Sequence, residues 1–255
     1  MVIIEKVIIP IYIKKQEKMN ILKKIVRRFL GGKPSVEETI QFLKKNGAEI
    51  GERLNVYGGS LNIDSGFPYM LHIGNDVEIT ANVNILNHDY SWSVIKAYSG
   101  QLLGGVGPVF IGNNVFIGSG STILMNTHIG NNCIVGAKSV VSGYFPDNCV
   151  IAGCPAKIIC SLDQYIEKRK NRQLSEAIDI VKHYRKAFGK NPTKDKLPAY
   201  FWLFEPRNKE ISNPMLLQRM KLKGNFDVSA KLFKDSKPLF DNFDAFLESI
   251  PFEYE

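Results

Sequence analysis

Residues 111–141 read IGNNVFIGSGSTILMNTHIGNNCIVGAKSVV, and their spacing decides the fold. An aliphatic residue returns at every sixth position: Ile111, Ile117, Ile123, Ile129, Val135 and Val141. A glycine follows four of them, at Gly112, Gly118, Gly130 and Gly136. The fifth position of each unit is small or modest: Val115, Ser121, Thr127, Cys133 and Ser139. A helix repeats near 3.6 and a strand at 2, so neither accounts for a strict six. A hexapeptide period belongs to a β-helix, in which three short strands close a triangular coil of roughly 18 residues. The aliphatic side chains stack inside, each contributing roughly 1.5–3 kcal/mol on burial. Asn75, Asn113, Asn114, Asn131 and Asn132 suit the corners, because asparagine tolerates left-handed backbone angles.

Outward from this stretch, Ile73, Ile79 and Ile85 keep the same phase, and Ile50 and Val56 keep it more weakly. Between the two runs, residues 91–107 break the repeat. They hold Trp92, Tyr98 and the cluster Gly104-Gly105-Val106-Gly107, and read as an inserted loop whose aromatics pack on something. His88 stands at the edge of that gap. The expected organisation is a helical N-terminal segment at 1–47, a β-helix domain at 48–160 with its loop at 91–107, and a mainly helical region at 161–255. In the first segment Ser35 and Glu38 form a capping box for a helix that Gly47 ends. In the last, Leu162 to Phe188 has helical periodicity closed by Gly189, and Asp241 is placed to cap a final short helix. That region is rich in aromatics (Tyr200 to Phe204, Phe240, Phe243, Phe246) and is expected to fold against the solenoid, whose open end needs cover.

The totals bound the function. A chain of 255 residues with 44% hydrophobic and 23% charged residues is neither disordered nor a multi-span membrane protein. Val7 to Ile13 is too short to span a bilayer and leads to no cleavage site of signal-peptide type. Cys133, Cys149, Cys154 and Cys160 make no C-x-x-C pair and no zinc spacing, so a reducing cytoplasm is the simplest compartment. Cys133 falls where the repeat wants a small inward filler. The net charge of +8 lies in the flanks: residues 1–50 hold 11 Lys and Arg against 5 Asp and Glu, residues 51–160 hold 4 against 6, and residues 161–255 hold 18 against 14. The repeat is therefore no basic body, and no basic stripe interleaved with aromatics argues for nucleic acid. The basic amphipathic run at 21–30 suits a helix on an anionic membrane surface, at the inner face of the membrane, or equally a solvated helix packed on a neighbour.

Three segments carry a family resemblance: Ile111 to Gly120, Ile129 to Val141, and Gly153-Cys154-Pro155-Ala156-Lys157. They resemble the hexapeptide-repeat acyltransferases, of the maltose/galactoside acetyltransferase type and its relatives in capsule and O-antigen gene clusters. Ser65 to Asp76, followed by Asn87-His88-Asp89, resembles the polysaccharide branch most. The resemblance covers about residues 50–160. It implies a mainly β fold built on a left-handed parallel β-helix, and an acetyl-CoA-dependent O-acetyltransferase acting on a sugar hydroxyl of a surface polysaccharide or its precursor. It also implies a homotrimer with sites between adjacent prisms and direct transfer in a ternary complex, without an acyl-enzyme.

That chemistry requires a base to take the hydroxyl proton, donors for the tetrahedral oxyanion, and a groove for the acyl carrier. His88 is the candidate base, since it matches the family's histidine position and imidazole titrates near neutral pH. Asp89, Asn87 or a backbone carbonyl could orient its other ring nitrogen. His72, His128 and His183 read as surface residues, and no H-x4-H pair suggests a metal. By the resemblance, Phe116 lines the pantetheine groove, Ser119 and Ala137 meet the thioester arm, and Ser142 and Lys157 meet the nucleotide end. Gly143 and Cys154 depart from the family pattern, where a basic residue and an asparagine are usual. Asn62, Asp64, Asn87, Asp89, Tyr90 and Trp92 are candidate acceptor contacts, or corner and loop-packing residues. The competing acceptors are a free sugar, a sugar-nucleotide amine or a xenobiotic. The non-enzymatic alternative is a solenoid binding scaffold.

Overall fold

The computed structural model describes residues 34–58, 61–207, 211 and 213–252. The basic run at 21–30 lies outside the described residues. The chain divides into two compact units, Met1–Ile159 and Cys160–Glu255.

The first unit is a three-sided solenoid of parallel strands. Its first face stacks β1 (Glu49–Ile50), β4 (Leu71–Ile73), β9 (Val109–Ile111), the end of β11 (Thr122–Ile129) and the end of β13 (Val140–Phe145). The second stacks β2 (Asn55–Val56), β5 (Glu78–Ile79), β10 (Phe116–Ile117), β12 (Ile134–Val135) and β14 (Cys149–Gly153), and β15 (Ala156–Ser161), which follows a two-residue turn, pairs with β14 at the edge. The third stacks β3 (Asn62–Ile63), β6 (Asn84–Ile85), the start of β11 and the start of β13. Both β11 and β13 turn the corner from the third face to the first. The six-residue period thus becomes three inward columns, among them Ile79-Ile117-Val135-Ile151 and Ile85-Ile123-Val141, all almost completely buried. Val77, Val115, Cys133 and Cys149 form a further inward column. The Cys133 and Cys149 sulfurs lie 3.7 Å apart as fillers. Helix α1 (Val36–Lys45) adds Leu43 to this core, and Ser35 and Glu38 close the expected capping box.

The corner asparagines divide the labour. Asn114 and Asn132 take positive φ, and their amides bond to one another and on to Asn148. Asn75, Asn113 and Asn131 instead use their side-chain oxygens to accept the backbone N–H of the coil before. Gly112 is required by close approach: a Cβ there would sit 2.7 Å from the backbone of Gly130.

Residues 91–107, expected as an inserted loop, carry secondary structure of their own. Helix α2 (Trp92–Ser99) opens the segment, and β8 (Gly105–Val106) returns as an antiparallel partner of β7 (His88–Asp89). Its aromatics do not all pack: Tyr98 is 94% exposed and Val94, four residues earlier, is exposed beside it. None of the eight residues of α2 is buried.

The second unit has its own aromatic core of Phe201, Phe204, Phe233 and Phe246. Helix α3 (Leu162–Phe188) begins with a capping box of Ser161 and Gln164 and ends at Gly189 in the left-handed conformation. Helices α4 (Pro214–Met220), α5 (Phe226–Asp235) and α6 (Phe243–Glu248) follow. Asn242, not Asp241, caps α6, its side chain accepting from the Ala245 N–H. Arg185 is buried and donates to the carbonyls of Leu247 and Ile250, tying down the last helix. No helix among the described residues is long and apolar enough to cross a membrane.

Candidate active site

The site begins as a departure from the repeat. Equivalent corner residues lie 18 apart in the regular coils (Asn113 to Asn131), 23 apart one coil earlier (Glu52 to Asn75), and 38 apart across the gap (Asn75 to Asn113). Most of the extra residues enter at one place, the corner between the third and first faces. Residues 64–70 follow β3 there, and residues 87–108 follow β6 in the next coil. Stacking therefore sets two irregular segments directly on each other.

His88 lies where they meet. Its Nδ1 faces Asp64 Oδ2, with the imidazole about one-third exposed (33%) and the carboxylate nearly buried (9%). The other Asp64 oxygen accepts the Gly66 N–H at 2.9 Å. An ionised carboxylate can only accept, so this pairing calls for a proton on Nδ1 and, in a neutral imidazole, leaves the lone pair on Nε2. The Phe67 ring meets the imidazole edge-on at 5.6 Å and 66°, and the Tyr90 ring flanks it at 6.4 Å. Tyr69 touches Phe67 and Trp92 touches Tyr90, so ring contacts run through His88 from both sides.

The structure redistributes the expected acceptor contacts. Asp64 is the group that faces the His88 Nδ1, a place the sequence left open among Asp89, Asn87 and a backbone carbonyl. Asp89 turns away to accept from the Ser91 N–H and hydroxyl, and the hydroxyl first, then the N–H, hold its carboxyl below the usual range. Asn87 is 1% exposed and cannot meet a substrate from that position; its Nδ2 donates to the Phe67 carbonyl. Asn62 sits in an exposed amide pair with Asn84. Tyr90 is exposed and Trp92 half-buried. Phe67 and the Asp64–His88 pairing were missed, and only the pairing leaves a trace in the spacing. Asn62 and Asn84 stack 22 residues apart, and Asp64 follows that rung by two residues and His88 by four, so both lie just past it at the same corner.

The expected acyl-carrier residues do not share one face. Phe116 projects from the second face, half-exposed. Ser119 and Ala137 lie exposed at the next corner, where the Ser119 hydroxyl donates to the Ala81 carbonyl. Ser142 is exposed at the corner between the third and first faces, two coils beyond His88, and Lys157 is exposed on β15. The other histidines have ordinary partners: His72 with Glu49 and stacked on Phe110, His128 stacked on Tyr144, and His183 on the Asp179 carbonyl. Among the described residues no group of three His, Cys, Asp or Glu could hold a metal ion.

Residues 108–143 match the family described as bacterial transferase hexapeptide (six repeats). Protein CapG of Staphylococcus aureus is 40% identical over 127 residues, covering 49% of this chain and 73% of that protein. Galactoside O-acetyltransferase of Escherichia coli (strain K12) is 31% identical over 157 residues, covering 54% of this chain and 75% of that protein. A protein of the same strain, provisionally named lipopolysaccharide biosynthesis O-acetyl transferase WbbJ, is 57% identical over 51 residues, which are 20% of this chain and 26% of that protein.

Proposed function

The chain belongs to the hexapeptide-repeat acetyltransferases, and on that premise we propose that it transfers the acetyl group of acetyl-CoA to a sugar hydroxyl of a surface polysaccharide or its precursor. The observation that carries the reading is the pairing of His88 Nδ1 with Asp64, which leaves Nε2 as a lone-pair base at an open corner. The acceptor hydroxyl gives its proton to Nε2 as its oxygen attacks the thioester carbonyl. The tetrahedral centre then collapses, the C–S bond breaks, and the imidazolium returns its proton to the departing thiolate. Asp64 holds the tautomer and offsets the charge of the imidazolium. The aromatic rings on both sides of His88 suit the apolar face of a sugar. The names of two relatives, a galactoside and a lipopolysaccharide-biosynthesis O-acetyl transferase, point to the same acceptor chemistry.

Phe116, Ser119, Ala137, Ser142 and Lys157 project from different sides of the prism, so one prism alone does not gather them around a single groove. A homotrimer, with acetyl-CoA held between adjacent prisms, would bring such faces together. The basic run at 21–30 would hold the enzyme at the inner face of the membrane, beside a lipid-linked acceptor; indifference to anionic vesicles in co-sedimentation would count against that placement.

The test is thiol release from acetyl-CoA across a panel of acceptors: galactosides, oligosaccharides, a sugar-nucleotide amine and chloramphenicol. Transfer to a glycan hydroxyl that His88→Ala abolishes, in a protein that stays folded, is the expected result. Near-normal turnover by that variant would sink the assignment, and transfer only to the amine or the drug would replace the acceptor.

A further inference from the structure

We propose that Asn87 is a positioning residue, which clamps the Phe67 segment against the His88 ring and so holds the imidazole in its working orientation. The proposal rests on the reading of His88 as the base. Asn87 points into the solenoid corner and is 1% exposed. Its Nδ2 donates to the Phe67 carbonyl at 2.7 Å, across 20 residues of chain. Its own carbonyl accepts the N–H of Gly107 at 2.9 Å, where the longer insertion returns to the coils. One residue therefore joins three pieces of backbone: the entry to that insertion, its exit, and the shorter insertion of the coil before.

The consequence falls on the neighbouring side chain. The Phe67 ring stands edge-on against His88 on one flank while Asp64 holds Nδ1. Neither contact belongs to a strand pair, so neither is templated by the repeat. Without the Asn87 amide the Phe67 carbonyl keeps only its local bond from the Met70 N–H at 3.0 Å, and the Phe67 end of the segment that begins at Asp64 loses its side-chain tie to the next coil. Stability alone does not explain an amide here. Asn87 Oδ1 is buried with no hydrogen-bond partner among the described residues, a cost that an aliphatic side chain in the same interior would avoid. What the amide supplies, and an aliphatic could not, is the bond to Phe67.

The chain has four histidines, and the other three sit on different partners, so ring-nitrogen NMR reads His88 against internal references and needs no acceptor. In the native protein the expected signature is a single Nδ1–H tautomer. In Asn87→Ala the His88 signals should shift toward mixed tautomers while those of His72, His128 and His183 stay in place. With the best acceptor of the panel, kcat should fall about 10- to 100-fold with KM for acetyl-CoA within about twofold. Phe67→Ala leaves the Asn87 bond intact and should reproduce the effect, whereas Phe67→Leu, which keeps an apolar wall, should restore most of it. If Asn87→Ala does not fold, Phe67→Ala carries the same expectation. Unchanged His88 signals with kcat within about twofold, in whichever of the two variants is folded, would overturn the clamp. Turnover by His88→Ala would overturn the base reading instead, so the two failures are distinguishable.

Discussion

In the regular coils like meets like: Asn113 bonds to Asn131 and Asn114 to Asn132, each 18 residues on. At the corner between the third and first faces the partners are unlike. A carboxylate meets an imidazole, an amide meets a carbonyl, and one buried amide oxygen meets no partner among the described residues. The coils use repetition to template register, since a pair that works once works again in the next rung. Repetition cannot assemble a base, its orienting acid and an acceptor wall, because those must differ from one another. The proposed chemistry lies where the repeat is interrupted, and the regular 18-residue coils begin on one side of that place, from Asn113 to Asn131.

Substitutions should separate the two regions by what they damage. The largest effect belongs to His88→Ala: acetyl transfer falls by about 10³-fold or more while thermal unfolding is unchanged. A loss of Tm in step with the loss of rate would show that the corner also bears load. Ile117→Ala in the second face should do the reverse. It empties a fully buried site between Ile79 and Val135 and should cost about 3 kcal/mol in denaturant unfolding. The kcat of the protein that remains folded should stay near that of the native enzyme. Asp64→Asn comes next, with kcat lowered roughly 10- to 100-fold and His88 shifted toward the other tautomer. A kcat equal to that of the native enzyme would remove Asp64 from the mechanism. The smallest effect is at a coil corner. Asn132 has a φ of 54°, so Asn132→Ala should destabilise by about 1 kcal/mol without touching turnover. Asn132→Gly should cost less, and equal losses would show that its amide bonds outweigh its backbone angle.

Much of the solenoid was legible because its cause is local and repeated. Ile111, Ile117 and Ile123 stand on three different faces, yet each obeys the same six-residue rule, so six repeats of a short pattern specify the coil. The caps at Ser35 and Gly189 were legible for the same reason, being set by residues within one helical turn. The interruption was visible too, and with it His88. Its contents were not. Helix α2 is short, and its exposed Val94 and Tyr98 gave the sequence no clear stripe. The cap of the final helix moved from Asp241 to Asn242, two adjacent residues that propensity alone does not distinguish.

Asp64, Asn87 and Phe67 show where reading along the chain stops. Asn87 and Asp89 lie beside His88 in sequence, and by residue type each could orient it or bind sugar. One proved to be buried and the other committed to Ser91. Asp64 and Phe67 lie more than 20 residues away and proved to be its neighbours. By itself the sequence determined the solenoid, its coil length and the position of its break, because burying one aliphatic residue in every six is a local rule that each coil satisfies against the next. Only the tertiary structure decided which side chains face the imidazole. That depends on two insertions of unequal length entering at the same corner, and stacking brings together residues that no period in the sequence relates.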